Sequence, residues 1–177
     1  GQIENKIITE LPLNGRNFQH LLDYQPGMIS SAAGNASSHA SNGNRTDANV
    51  WVIDGLYSGD VYTGWSVVNG KISGGGADPS TTLPLDGILE LNTQSQPKAE
   101  WGYKPGAVVQ VGLKSGTNAI HGSLFAFGRD QSFNARNAYN PAPAAKNPFA
   151  MTQWGGSVGG PIKKDKLFYF GSVEIWR

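Results

Sequence analysis

The stretch GAVVQVGLKSGTNAIHGSLFAFGRD, Gly106 to Asp130, decides the fold of this chain. It begins with an apolar, β-branched run, passes through a polar Lys-Ser-Gly-Thr-Asn junction and continues as a second run that is rich in aromatic residues. β-Branched and aromatic residues favour strands, whereas polar residues with glycine favour turns. The stretch therefore predicts two strands joined by a compact polar junction.

The composition of the whole chain also favours β-structure. At 177 residues the chain has room for one domain with a core, or for a small domain with an appendage. It contains 24 glycines and 10 prolines, and both residues disfavour helices. It has no cysteine, which excludes disulfides, thiolate metal sites and cysteine nucleophiles. We therefore expect glycine-rich β-structure with long loops.

Charge and hydropathy exclude several classes of partner. The 14 basic and 13 acidic residues nearly balance, so there is no electrostatic reason to expect a nucleic acid. No apolar run approaches the roughly 20 residues that span a bilayer as a helix. The first residues lack the basic start and apolar core of a secretory signal. A β-barrel stays open, because its alternating strands give a weak hydropathy signal.

Residues 1–116 are predicted to form a small α+β unit with few, short helices. We expect Ile8 to Leu13 to be extended, because Pro12 disfavours a helix at Leu11. The next segment, NGRNFQHLLDYQPG, predicts a short helix that Asn14 or Asn17 caps and that Pro26-Gly27 stops. The remaining elements are expected as a loop over 30–49, a strand over 50–53, a long glycine-rich segment over 57–80, a turn or short helix over 83–88, a strand over 88–93, a helical turn over 97–103 and a strand over 106–113.

Residues 117–177 have a different pattern. They predict strands over 118–129, 151–160 and 166–176, with a loop over 130–150 and a turn from Pro161 to Asp165. Strands of about ten residues, linked alternately by a long loop and a tight turn, are typical of outer-membrane barrels. Three strands cannot close a barrel, so the predicted sheet has open edges.

Five segments together resemble one family. They are LPLNGRNFQHLLDYQPGM, VWVIDG, AEWGYKPGAVVQVGLKSGTNAIHGSLFAFGRD, FNARNAYN and QWGGSVGGPIKKDKLFYFGSVE, and they extend in this order over nearly the whole chain. This pattern is similar to TonB-dependent outer-membrane receptors, and in particular to the Oar-like subgroup. The resemblance implies an α+β, mostly β chain: a small plug domain over 1–116, then the first strands of an incomplete antiparallel transmembrane β-barrel over 117–177.

The resemblance also implies a function and a location. A plug of this family gates the energy-coupled uptake of a substrate across the cell outer membrane. The expected partners are a TonB-type energy-coupling protein, the remainder of the β-barrel, outer-membrane lipid and a transported ligand that the sequence does not identify. The 130–150 loop would face outside and the turn after Pro161 the periplasm. Because most of the barrel is missing, we expect a fragment of a receptor. We also expect no cofactor and no enzymatic activity.

Two sets of residues are candidates for binding. Tyr57, Tyr62, Trp65 and Asn69 lie in the long glycine-rich segment and could stack on a sugar ring or another flat ligand. An alternative function follows from them, that of a soluble binding module, for example for carbohydrate, that uses the loop from 57 to 78. The structural alternative is that these aromatic residues fill the core of the plug or contact the barrel wall.

Two arginines, Arg16 and Arg45, are candidates for contacts between plug and barrel. The resemblance implies that charged and hydrogen-bonded contacts hold plug and barrel together, and the guanidinium fork binds carboxylates bidentately. The alternative is ordinary surface charge.

Catalytic and metal motifs are weak. The run Gly155 to Gly159 matches G-x-S-x-G around Ser157, but a helix must follow that motif and Gly160-Pro161 follows here. Ser95 begins an S-x-x-K match whose partner motifs are absent. The histidines have no ligand spacing. Calcium could bind loop acids, but turn and surface roles are the better interpretation. These residues are His20, His39 and His121, and Asp47, Asp54, Asp60 and Asp78.

Overall fold

The chain divides into two compact units, Gly1–Lys114 and Ser115–Arg177. The computed structural model describes all residues except 12, 14–15, 31–38, 61–63, 65, 69–82, 103, 137–138, 141–144 and 147. In the part of the chain described, no helix is long and apolar enough to cross a membrane.

A five-stranded sheet organises the first unit. In the described part of the first unit, the strands in chain order are β1 (Gln2–Glu4), β2 (Met28–Ser30), β3 (His39–Ser41), β4 (Val50–Ile53), β5 (Leu56–Tyr57), β6 (Ile88–Gln94) and β7 (Val108–Leu113). The main sheet has the order β1-β6-β7-β4-β5, and β2 pairs with β3 separately. β4 and β7 are parallel and the other neighbours antiparallel. The strand predicted over 50–53 is confirmed, and Asp54 and Gly55, both with positive φ, form its hairpin turn.

The helices of the first unit are short. α1 spans Asn5–Glu10, so the expectation that Ile8 begins an extended segment was wrong, although Leu11 is extended as Pro12 requires. The predicted helix after Asn14 is a 3₁₀ segment, Phe18–Tyr24, and Asn17 caps it by accepting a hydrogen bond from the Gln19 amide at 3.0 Å. Further 3₁₀ turns span Thr46–Ala48, Leu85–Gly87 and Ala99–Trp101.

The core of the first unit lies between this 3₁₀ segment and the main sheet. Phe18, Leu21 and Leu22 are fully buried, and they belong to one apolar cluster with residues of β6 and β7 such as Leu91 and Val109. A seven-residue segment cannot hold a helical form alone, so burial of this apolar face keeps it in place.

The second unit is a three-stranded antiparallel sheet. Its strands are β8 (His121–Asp130), β9 (Ala150–Lys163) and β10 (Leu167–Trp176), in the order β10-β9-β8. β9 is longer than predicted: it continues through Pro161, and the turn begins only at Lys164. Proline is tolerated there because β8 begins at His121, opposite Gly159, so Pro161 pairs with Phe168 of β10 and has no partner in β8.

The two strands of the Gly106–Asp130 stretch belong to different sheets. β7 pairs with β4 and β6 in the first unit, whereas β8 pairs with β9 in the second. The polar junction between them is therefore not a hairpin turn, and the boundary between the units falls inside it, after Lys114.

Two leucines of β6 offer a matched test of the first unit's core. Leu91 is fully buried, whereas Leu89 is 52% exposed at a register shift between Ile88 and Glu90. We expect Leu91→Ala to lower the free energy of unfolding by about 2–5 kcal/mol and Leu89→Ala by about 0.5 kcal/mol or less. Hydrogen exchange of the β7 amides measures both changes, and equal effects would contradict the burial described.

Candidate functional site

Strand register sorts the side chains of the second unit onto two faces. Successive residues of a strand point to opposite faces, and directly paired residues share a face. β9 pairs Val158 with Gly122 of β8 and Gly171 of β10. The residues on the side of Val158, here called the apolar face, are Gly122, Leu124, Ala126, Gly128, Asp130, Ala150, Thr152, Trp154, Gly156, Val158, Gly160, Ile162, Tyr169, Gly171, Val173 and Ile175.

The apolar face carries one charged side chain, Asp130 in the last position of β8, and its large apolar side chains are exposed. Leu124 is 93% exposed, Val173 54% and Trp154 51%. A contiguous apolar surface of this kind marks a membrane or protein contact. β8 and β10 have ten residues each, which matches the roughly 9–11 residues of a tilted membrane-spanning strand. Lipid is therefore the environment that fits this face.

The opposite face, here called the polar face, holds several hydrogen-bonding groups beside phenylalanine rings. The hydroxyls of Ser123 and Ser157 lie 2.8 Å apart across β8 and β9. The amide of Gln153, which is 3% exposed, donates to a carboxylate oxygen of Glu174, and the Trp176 indole donates to the same oxygen at 3.1 Å. Such groups suit a face turned away from lipid, as in barrels whose interior is polar.

Neither serine motif has the surroundings that its chemistry requires. Ser157 lies in the middle of β9, and strand continues after it to Lys163, so the strand-to-helix elbow is absent. Ser95 lies just after β6, and its carbonyl oxygen accepts a hydrogen bond from the Asn42 amide at 3.2 Å. In both places the serine is part of the scaffold.

The candidate metal ligands also have local roles. Asp47 pairs with Arg45, Asp54 lies in the β4–β5 turn, and the Asp60 carbonyl accepts from Gly64 at 2.8 Å. Asp78 lies outside the described residues. Within those residues, no group of three or more histidine, aspartate or glutamate side chains could hold a metal ion.

The predicted ligand-binding residues are described only at one position. Tyr57 lies in β5 opposite Val52, and it is 54% exposed. Tyr62, Trp65 and Asn69 lie outside the described residues. Tyr57 is thus accessible at the surface of the first unit. In the sequence it precedes Tyr62, Trp65 and Asn69.

The two predicted contact arginines have different surroundings. Arg16 donates from Nη2 to Asp86 Oδ2 at 2.6 Å, and the two side chains are only 14% and 12% exposed. This pair ties the segment before Phe18 to the turn before β6. Arg45 is 88% exposed and lies 3.4 Å from Asp47, so its ion pair contributes little.

Sequence reasoning missed a polar cluster around Asp23. Its Oδ1 lies 2.9 Å from Nε2 of the fully buried His39 and accepts from the Ser30 hydroxyl, and its Oδ2 lies 3.6 Å from Nδ1 of His20. Burial lowers the pKa of His39, and this outweighs the opposing effect of Asp23. Partial burial alone would raise the pKa of Asp23, but the hydrogen bonds from Ser30 and His39 lower it below 3.8. His39 is therefore held neutral beside a carboxylate.

A second missed network centres on buried Asn49. Its Oδ1 accepts from the Ser41 hydroxyl at 2.8 Å and from the Ala107 amide at 3.0 Å, and its Nδ2 donates to the His39 carbonyl at 2.7 Å. One side chain thus joins β3 to the residue before β7. No sequence signal marks it, because its partners are distant along the chain.

The comparisons with known proteins agree with a membrane strand assignment. Residues 112–177, which include the second unit, match the family described as "Outer membrane beta barrel domain". Over 161 residues, or 88% of the chain, the sequence is 26% identical to the TonB-dependent transporter Oar of Myxococcus xanthus. The chain spans 14% of the length of that relative.

Solved structures of similar fold include receptors for siderophores and for ferric enterobactin. The siderophore receptor PirA of Acinetobacter baumannii matches 99% of the chain with a TM-score of 0.65 at 21% identity, and the chain covers 24% of it. A variant of the ferric enterobactin receptor PfeA of Pseudomonas aeruginosa, solved with enterobactin, matches 99% with a TM-score of 0.66 at 18% identity, and the chain covers 24% of it.

These findings confirm the predicted resemblance to TonB-dependent receptors, the mostly β fold and the outer membrane as the location. The matched proteins are a transporter and receptors rather than enzymes, in agreement with the expectation that the chain is not an enzyme.

Adjacent residues of β10 test the two faces. Val173 lies on the apolar face and Ser172 on the polar face, opposite Ser157. We expect Val173→Lys to destabilise the sheet in lipid by about 2–4 kcal/mol, because the charge would enter the bilayer near mid-strand, and Ser172→Lys by about 1 kcal/mol or less. Urea titration in phosphatidylcholine vesicles measures both. A larger loss from Ser172→Lys would reverse the assignment of the faces.

The lowered pKa of His39 makes the first unit sensitive to acid. The unfolded chain protonates this histidine more readily, so its contribution to stability is complete above the ordinary pKa of 6.5 and is lost as the pH falls toward the folded-state pKa. We expect the urea midpoint to fall between about pH 7 and about pH 5, and His39→Gln to remove this part of the dependence. The exposed His121 supplies the control, and His121→Gln should leave the pH dependence of the urea midpoint unchanged.

Proposed function

We propose that this chain supplies the plug and the first wall strands of a TonB-dependent outer-membrane receptor. Residues 1–116 form the plug in this proposal and residues 117–177 the wall. The observation that carries it is the pair of faces on β8–β10, one apolar and exposed, one hydrogen-bonded, in a sheet that follows a separate compact unit. Siderophore receptors match this arrangement of elements over 99% of the chain.

The wall strands separate lipid from a watery interior in this proposal. The apolar face contacts lipid, while Gln153, Glu174 and the paired serines of the polar face line the interior. The free edge of β10 pairs with the next strand of the remaining barrel, since backbone groups in a bilayer must be hydrogen-bonded. A soluble binding module is the weaker alternative, because it would expose the whole apolar face to water.

The plug gates passage by rearranging when a TonB-type energy-coupling protein acts on it. Its construction supports this role. β1 is three residues long and pairs only with β6 in the main sheet, so the start of the chain is held by few backbone hydrogen bonds. The largely buried ion pair between Arg16 and Asp86 holds the segment before Phe18 against the turn before β6. The segment from Tyr57 to Asp78 contacts the ligand and biases the plug toward release.

Removal of the plug tests the proposal without knowledge of the substrate. In the longer receptor that contains this chain, deletion of residues 1–116 should leave an open barrel with a large, steady ion conductance in planar lipid bilayers, because a wide barrel without a plug encloses a water channel. The undeleted receptor should stay closed. Equal conductance of the two proteins would refute the gating role.

A pair of aspartates provides the matched control for gating. Asp86→Asn removes the carboxylate charge from the buried Arg16 and should increase the frequency of brief channel openings several-fold, an effect of about 1 kcal/mol or more on the closed state. Asp47→Asn removes the partner of exposed Arg45 and should have no effect. If both variants behave alike, the buried pair does not hold the plug closed.

A further inference from the structure

A partly open cavity of about 240 Å³ lies among described residues of β8 and of the segment that follows it. Three cationic residues line it, together with an aromatic ring and neutral amides; the lining includes Arg129, Arg136, Lys146, Phe149, Gln131 and Asn134. Among the described residues that line it, none is acidic. Three cationic side chains thus line one small cavity.

The nearest acid in the sequence does not neutralise this charge. Asp130 follows Arg129 in β8, so its side chain points to the other face of the sheet. Its carboxylate accepts hydrogen bonds from the amide of Ser132, at 2.8 Å, and from the Ser132 hydroxyl. Among the described residues, no carboxylate forms an ion pair with Arg129 or Lys146.

Contacts with neutral groups hold the two cations in place. The Arg129 guanidinium lies over the Phe149 ring, 5.0 Å from its centroid. The Lys146 ammonium donates to the Asn134 carbonyl at 2.9 Å. These contacts orient the cations and leave their charge uncompensated, which is the arrangement of a preformed anion site.

We propose that this cavity binds a phosphate-type anion. A guanidinium fork beside an ammonium suits the several acceptor oxygens of a phosphate group. The volume is below the roughly 300–1,000 Å³ of sites for drug-sized ligands, so the cavity suits one small anionic group. The group could be a free phosphate or the phosphomonoester headgroup of a lipid. This inference does not depend on the gating role of the plug.

Phosphorus NMR tests both sources with one readout. The complete chain is prepared in neutral dodecyl maltoside micelles and titrated with inorganic phosphate. In a second series, the chain is titrated into micelles that contain a small fraction of phosphatidic acid. We expect broadening and shift of at least one phosphorus signal, and Arg129→Gln should weaken that binding by about tenfold or more. A response from inorganic phosphate identifies the free anion, and a response from phosphatidic acid alone identifies the lipid headgroup.

Control variants separate a built site from general attraction to positive charge. Lys164→Gln removes one charge from the β9–β10 turn at the other end of the strands and should leave binding unchanged. Arg129→Lys keeps the charge without the fork and should bind with intermediate strength; circular dichroism verifies that each variant is folded. Absence of binding in both micelle series, or equal weakening by Arg129→Gln and Lys164→Gln, would overturn the proposal.

Discussion

Strands in a bilayer must pair their backbone groups and keep charge away from lipid, and this constraint decides how the second unit is built. Side chains alternate along β8, β9 and β10, so the register assigns each residue to one face or the other, apart from a shift between Leu167 and Phe168. A shift of one residue would turn Glu174 and Arg129 toward lipid and Val173 toward the interior. Register and environment are therefore two consequences of one pattern.

The first unit follows the rules of a protein core in water. Its 3₁₀ segment and main sheet bury an apolar cluster, and several of its buried polar side chains are hydrogen-bonded within the unit, as Asn49 is with Ser41 and Ala107. Burial of a polar group is tolerated when it is hydrogen-bonded, and such pairing makes the packing specific. The Gly106–Asp130 stretch joins the two kinds of packing, with β7 in one unit and β8 in the other.

Local patterns predicted the elements whose causes are local. Val50–Ile53, the cap at Asn17 and the three long strands follow from apolar runs and turn residues, and the faces of β8–β10 follow once the strands are known. The helix Asn5–Glu10 and the length of β9 did not, because packing and the end of a neighbouring strand decide them. The sequence did not predict the His39–Asp23 contact, because it joins residues that lie 16 positions apart along the chain.

The most direct test of the central claim is a spin-label scan along β9. The chain has no native cysteine, so single cysteines at consecutive positions from 152 to 160 can be labelled without background. In lipid vesicles, collision with oxygen should be high at even positions such as Trp154 and Val158, and collision with a water-soluble nickel reagent should be higher at odd ones such as Ser157, with a period of two residues. A profile without this alternation, or with its phase reversed, would contradict the claim that these strands form a membrane wall.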